Sequence, residues 1–479
     1  MKWAARLVVS AVLVAVTILL VRAFDARRLP ELKAWHRPLR SEIRAADLSE
    51  RTTLADYRRL EDAVFREMDL TVYPATSGDD RNRGNRYWTE SPINPERFPH
   101  NWNHTFELFP VGAPRGGALL IHGLTDSPYS VKAVAEVYRA AGFYALCLRM
   151  PGHGTVPGAL TMTDWEDWRA AVRVGARHVR GRIGEGRPFQ LVGYSNGGAL
   201  AVQYALDALS AADLPRADRV VLLSPMIGVS AFAGLARIAS AVGVIPYFVK
   251  SRWLEVVPEY IPFKYDSFPA HAAQQTADLT SAVQLAVSRA SRDGTIGRLP
   301  PILAFVSLVD STVETWATID RLFALLRDNG SELVLFDLNR HSVVRPFLRK
   351  DYEAPVAALF REPSRAYRLS LVTNADRESS EVVDREAAPH SADARETPLG
   401  LSWPPQVYSL SHLAVPFRPD DPLFGIDPDM SVDYGLRLGR LAPRGERGVL
   451  SVPAEQFMRL NCNPFFPYVE ERLKEWIAR

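Results

Sequence analysis

The residues with the most chemistry in them are Gly193-Tyr194-Ser195-Asn196-Gly197, set between the apolar run FQLV and the helix-forming run GGALAVQYAL. A serine on a sharp strand-to-helix turn is crowded, and glycines two residues to either side relieve the crowding. The turn lifts the hydroxyl clear of the backbone. The helix that follows brings free N–H groups close to any developing negative charge. The chemistry this suits is nucleophilic attack on an acyl carbon. His122-Gly123-Leu124 follows a second apolar run, ALLI. A tetrahedral intermediate needs two preorganised donors for its oxyanion. The backbone N–H groups of Leu124 and Asn196 are the candidates, with Gly123 allowing close approach. On this reading His122 shapes its loop, and Arg149 with the turn Pro151-Gly152-His153-Gly154 frames the mouth.

A serine nucleophile needs a base, and the base needs a carboxylate to fix its tautomer. Asp310, in AFVSLVDSTV, follows a late apolar run and is the expected acid; Asp337, in VLFDLN, is the reserve. Two histidines compete for the base. His341 follows Asp310 at an ordinary distance along the chain. His412 follows a strand-like run too, but its separation from Asp310 demands a long insertion. No metal or organic cofactor is needed for this chemistry.

The elements that must hold these residues are read from the apolar pattern. GALLIHGL, FYALCLRM, PFQLVGYS, RVVLLSPMIG, PILAFVSLVD and SELVLFDLN are strand candidates. SVKAVAEVYRAAG, WEDWRAAVRVGARHVRGRI and GGALAVQYALDAL are helix candidates between them. Buried strands alternating with helices predict an α/β fold, a mostly parallel sheet covered on both faces. Sites on such sheets gather at the carboxyl ends of the strands, where the residues above fall.

HGL, MPGHG, GYSNGG and the late-strand acid together resemble the alpha/beta-hydrolase superfamily, nearest to serine carboxylesterases and monoacylglycerol-lipase-like enzymes, over roughly residues 105–360. The resemblance implies a capped sheet and ester hydrolysis through a covalent acyl-enzyme. SLSHLAVPF with DDPLFG also resembles a block of extended bacterial hydrolases, and that assigns the base to His412, with His341 as the alternative. The expected organisation is a membrane anchor over 1–24, a helical linker over 25–100, the hydrolase core over 101–225 and 299–360, a lid insertion over 226–298, and an extension over 361–479 completing the core. The run from Thr373 to Leu399 is expected to be a long polar connection. A thioesterase or amidase, or a noncatalytic binding or scaffold protein, are the competing readings.

Composition bounds the rest. The 479 residues carry 57 Lys plus Arg against 55 Asp plus Glu, a net charge of +2. That balance argues against nucleic acid as a partner. The two cysteines, Cys147 and Cys462, exclude a disulfide-rich scaffold. The apolar span Leu7 to Val21 predicts an uncleaved anchor in a bilayer. Positive charge on both sides, Lys2 and Arg6 before it and Arg22 after it, leaves the orientation open, and the resemblance to bacterial esterases is what points the globular part to the periplasm. Asp420, Asp421, Asp427 and Asp429 form an acidic run, read as a solvated loop of Asx turns, with a calcium site as the lesser reading.

Overall fold

Runs such as GGALLI, FYALCL and ILAFVS are apolar without a break, which suits strands covered on both faces. The computed structural model makes each of them a strand with every residue buried. It describes residues 28–228, 246–309, 314–341, 352–405, 407–440 and 460–479, with Trp3, Arg6, Ser10 and Thr17 before them. In chain order the elements are α1 (Leu54–Thr71), β1 (Phe106–Leu108), β2 (Gly116–Ile121), α2 (Lys132–Ala140), β3 (Phe143–Leu148), α3 (Trp165–Ile183), β4 (Phe189–Tyr194), α4 (Asn196–Ser210), β5 (Arg219–Leu223), β6 (Trp253–Glu255), β7 (Phe268–Pro269), α5 (Ala270–Arg292), β8 (Ile302–Ser307), α6 (Thr315–Arg321), β9 (Glu332–Phe336), α7 (Glu353–Arg361), β10 (Arg368–Asn374), β11 (Glu381–Ala387), β12 (Ala394–Ser402) and α8 (Phe466–Ala478).

The main sheet has ten strands in the order β1-β3-β2-β4-β5-β8-β9-β10-β11-β12. From β3 through β10 every neighbouring pair is parallel. Strand β1 at one edge, and β11 and β12 at the other, run antiparallel to their neighbours. This is the expected mostly parallel α/β fold. Side chains alternate between faces along each strand. Ala118 and Leu120 of β2 face Val134 and Tyr138 of α2 and Leu473 and Trp476 of α8. Leu119 and Ile121 face the other way, into a cluster with Trp168 and Val172 of α3, Leu200 of α4 and Val283 of α5. Burying one large aliphatic or aromatic side chain contributes about 1.5–3 kcal/mol, so both layers help hold the sheet between them.

Several expectations change. The run from Thr373 to Leu399 is not a connection. It contains the end of β10, all of β11 and most of β12, paired in register from Leu369↔Ala387 onward. Helix α1 lies against the core: the Tyr57 hydroxyl donates to the Arg149 carbonyl at 2.6 Å, and Glu61 accepts from the Thr105 N–H and hydroxyl at 2.8 and 2.6 Å. Arg149 is not at a mouth. It is fully buried, pairs with Glu42 at 2.9 Å and donates to the His153 carbonyl, so it braces the Pro151–Gly154 turn from within. The acidic run is not wholly solvated: Asp421 is half-buried and bonded to the Tyr129 hydroxyl, while Asp429 makes an exposed Asx turn with Ser431 N–H. Both cysteines are buried free thiols.

The membrane expectations do not stand. Among the described residues no helix is long and apolar enough to cross a membrane, and most of residues 1–24 lie outside them. The transmembrane helix, the bilayer as a partner and the membrane-anchored, periplasm-facing placement are withdrawn together. The apolar run SAFAGLARIASAVGVI, within the expected lid, also lies outside the described residues. Of the rest of that insertion, α5 packs into the core cluster through Ala272, Leu279, Val283 and Val287.

Candidate active site

The sheet order reverses between β2 and β4, since β3 lies beyond β2 and β5 beyond β4. A crevice outside the strand ends forms at such a switch point. The register pairs Ile121 with Gly193, so His122-Gly123-Leu124 and Tyr194-Ser195-Asn196 leave the sheet side by side. Ser195 has φ 52 and ψ −117, a conformation costly for any residue with a Cβ. Its backbone is held on three sides. The N–H donates to the Leu223 carbonyl at 3.0 Å, and the carbonyl accepts from Met226 N–H and Gly198 N–H, both at 2.9 Å. Helix α4 begins at the next residue, Asn196.

The glycines have measurable reasons. A Cβ on Gly193 would stand 2.3 Å from the Gly197 carbonyl oxygen, and one on Gly197 would stand 2.2 Å from that of Ile121. The strand, the elbow and the loop after β2 therefore meet backbone to backbone. A Cβ on Gly123 would lie 3.2 Å from the Ser195 Cβ and 2.7 Å from Asp126 Oδ2. The candidate nucleophile, the loop carrying Leu124 and the Asp126 carboxylate are thus immediate neighbours.

The loop's peptide planes are set by hydrogen bonds. The Gly123 carbonyl accepts from Asp126 N–H at 3.3 Å and contacts His122 Nδ1 at 2.9 Å. His122 Nε2 accepts from Met150 N–H at 3.0 Å, so the ring proton sits on Nδ1. Because the peptide is trans, the Leu124 N–H points opposite to that doubly held carbonyl. Burial lowers the His122 pKa to about 4. His122 is a neutral structural histidine, as its position in the sequence suggested. His153 is also fully buried, with Nδ1 3.0 Å from the Pro151 carbonyl, and burial holds it well below the usual histidine range.

The two candidate bases sit in different surroundings. His412 is buried in a short 3-10 turn, His412–Ala414. Two residues before it, the Leu410 carbonyl accepts from the Ser307 hydroxyl at the tip of β8. Burial pushes the Asp126 carboxyl up, and the charges of Lys264 and His412 oppose that push. His341 is half-buried behind β9, its N–H bound to Asn339 Oδ1 at 3.1 Å, and Asn339 is itself tied to the Tyr408 carbonyl. That places it one strand further from β4 than Ser307. Asp310, the expected acid, lies outside the described residues. Asp337 is buried and engaged by Arg340 Nε at 2.5 Å and by the Thr373 hydroxyl at 2.7 Å, a structural use.

Sequence reasoning missed Asp126 and Lys264. Lys264 Nζ stands 3.6 Å from Asp126 Oδ1 and donates to the Thr125 hydroxyl at 3.1 Å. Nothing in either local sequence marks the pair, because the two residues meet only through the fold. Arg86 was also missed, inside the stretch expected to be a helical linker. It is buried and donates to the carbonyls of Ile261 at 3.2 Å, Lys264 at 3.1 Å and Gly154 at 3.3 Å. Among the described residues no group of three or more His, Cys, Asp or Glu side chains is placed to hold a metal ion.

Residues 112–335 match the family model described as Serine aminopeptidase, S33. Among curated proteins, a thermostable monoacylglycerol lipase of a Bacillus species is 27% identical over 245 residues, covering 50% of this chain and 86% of its own length. Among solved structures, the monoacylglycerol lipase of Paleococcus ferrophilus is 20% identical, with a TM-score of 0.37 over 49% of this chain and 88% of that one. A carboxyl esterase of Bacillus coagulans is 12% identical, with a TM-score of 0.35 over 49% and 84%. With its sheet, its elbow serine and the matched segment in view, the chain has the alpha/beta-hydrolase fold, and over residues 112–335 it is similar to the family described as Serine aminopeptidase, S33.

Proposed function

We propose that the protein hydrolyses hydrophobic carboxylic esters, acylglycerol-like or similar, through an acyl-enzyme on Ser195. The observation that carries this is Ser195 itself, held at φ 52 between β4 and α4 with Gly123 against its Cβ. His412 takes the Ser195 proton as Oγ attacks the ester carbonyl carbon. Asp310 orients and stabilises the imidazolium. The Leu124 and Asn196 N–H groups receive the oxyanion, each contributing about 3 kcal/mol. The imidazolium then protonates the departing alcohol, and a water activated by the same histidine releases the acid. Within residues 226–298 the part before the core-packed α5 serves as the lid insertion, and 361–479 complete the core. The hydrophobic acyl group is supported by the name of the Bacillus relative.

The test is fluorophosphonate labelling of the wild type and Ser195→Ala, followed by an acyl-chain series of esters, thioesters and amides. The amide arm includes aminoacyl amides, because of the matched family's name. Labelling of the wild type alone, with esters turned over fastest, is the expected result. Turnover that survives Ser195→Ala sinks the proposal, and faster cleavage of thioesters or amides moves it to that class.

A further inference from the structure

Thr125 is a β-branched residue at φ 64, directly after Leu124. It occupies the third position of the turn closed by Asp126 N–H to the Gly123 carbonyl. Positive φ at that position ordinarily selects glycine or asparagine, and for a β-branched residue it is an outlier. Such a conformation persists only where its surroundings over-determine it. Here the surroundings come from a segment 139 residues further along. Lys264 Nζ donates to the Thr125 hydroxyl at 3.1 Å, and the Tyr265 N–H donates to the Thr125 carbonyl at 2.8 Å. Both polar ends of Thr125 are thus gripped by consecutive residues.

The gripping segment is itself anchored. Arg86 holds the Ile261 and Lys264 carbonyls. The Tyr265 hydroxyl accepts from Thr155 N–H at 2.8 Å and donates to the Gly152 carbonyl at 3.1 Å. Any rotation of the Leu124–Thr125 unit therefore works against contacts that end in the body of the protein.

We propose that Lys264 is a positioning residue: with the Tyr265 backbone it clamps Thr125 in its strained turn and so aims the Leu124 N–H at the oxyanion. This rests on the reading of Ser195 as the nucleophile. The oxyanion exists only in the transition state and intermediates, so loss of aim lowers kcat and leaves KM nearly alone.

The experiment measures kcat and KM per fluorophosphonate-labelled serine in the wild type, Lys264→Met, Lys264→Arg, Thr125→Gly and the Thr125→Gly/Lys264→Met double variant, on the full chain. Lys264→Met is expected to lose about tenfold or more in kcat with KM within about twofold, as for a weakened oxyanion donor. Lys264→Arg restores most of that loss. Glycine relaxes at positive φ without a clamp, so the double variant loses less, relative to Thr125→Gly, than Lys264→Met loses relative to the wild type. An unchanged kcat per labelled serine, a fall confined to the labelled fraction, or an equal loss in both backgrounds overturns the clamp. Absence of labelling in the wild type instead overturns the nucleophile reading, whatever Lys264 does.

Discussion

The Ser307 hydroxyl donates to the Leu410 carbonyl across 2.7 Å and 103 residues of chain. The bond joins the tip of β8 to the segment that carries His412. It also joins the chain just before Asp310 to the chain just before His412. Everything between them, from α6 through β12, is an excursion that widens the sheet and returns. Distance along the chain therefore says little about which histidine serves the β8 side of the crevice.

Replacing each histidine separates the two candidates. His412→Ala is expected to lower kcat about a thousandfold, the scale of a lost general base. His341→Ala is expected to keep turnover within about threefold, since it follows β9, which lies one strand further from β4 than β8 does. Steady-state kinetics on the best ester of the acyl series decides it. Normal turnover in His412→Ala with loss in His341→Ala reverses the assignment.

Gly197→Ala probes the contact between the elbow and the loop after β2. Its Cβ meets the Ile121 and His122 carbonyl oxygens at 2.2 and 2.6 Å, both backbone atoms, so relief requires shifting that loop. The expected outcome is a loss of about 2–3 kcal/mol in urea unfolding and a large fall in kcat. Gly181→Ala, on the exposed side of α3 with nothing within 4 Å of its Cβ, is the control. It is expected to stabilise by up to about 1 kcal/mol through helix propensity.

Arg472 tests how α8 is fastened to the widened sheet. It pairs with Glu332 of β9, with Glu386 of β11 at 3.1 Å and with Asp384 of β11 at 3.6 Å. Arg472→Met removes the cation these carboxylates share; Glu332 and Glu386 keep Arg368, and Glu332 keeps Arg479, so the loss falls mainly on Asp384 and is expected to cost about 3 kcal/mol. Lys474→Ala removes the exposed i,i+4 pair with Glu470 on the same helix, and is expected to cost less than about 0.5 kcal/mol. Equal effects of the two in denaturant titration contradict this division.

The elbow was legible because glycine spacing beside an apolar run has one cheap structural solution, and the close contacts at Gly193 and Gly197 are its reason. The hairpin of β11 and β12 was not. Strand β12 is an edge strand exposed or half-exposed along its whole length, so it carries no alternating apolar signal. Arg149 misled because an arginine is rarely buried without a partner, and Glu42 is far from it in sequence. The pairing of Lys264 with Asp126 was out of reach for the same reason. Between the two histidines, spacing along the chain favoured His341 and the surrounding motif favoured His412; the Ser307–Leu410 bond shows why spacing is a poor guide here.

Asp421 makes the last prediction, one of pH. Its carboxylate is half-buried at the edge of an aromatic cluster that contains Tyr129, Phe417 and Phe424. It accepts from the Tyr129 hydroxyl at 2.9 Å and from the Leu423 and Phe424 N–H groups at 3.0 and 2.8 Å. Burial outweighs these bonds and raises its pKa from 3.8 to about 6. A carboxyl raised on folding binds its proton more tightly in the folded state. The stability it contributes is complete below its unfolded value and is lost as pH rises through about 6. Asp421→Asn keeps an acceptor for the two N–H groups, and its amide faces a hydroxyl that turns to accept. At pH 7.5 the variant is therefore expected to exceed the wild type by about 3 kcal/mol, two pKa units of relief. By about pH 4 that advantage is expected to have disappeared. Urea unfolding across this range measures it; a difference between the two proteins that does not change with pH removes Asp421 as the titrating group.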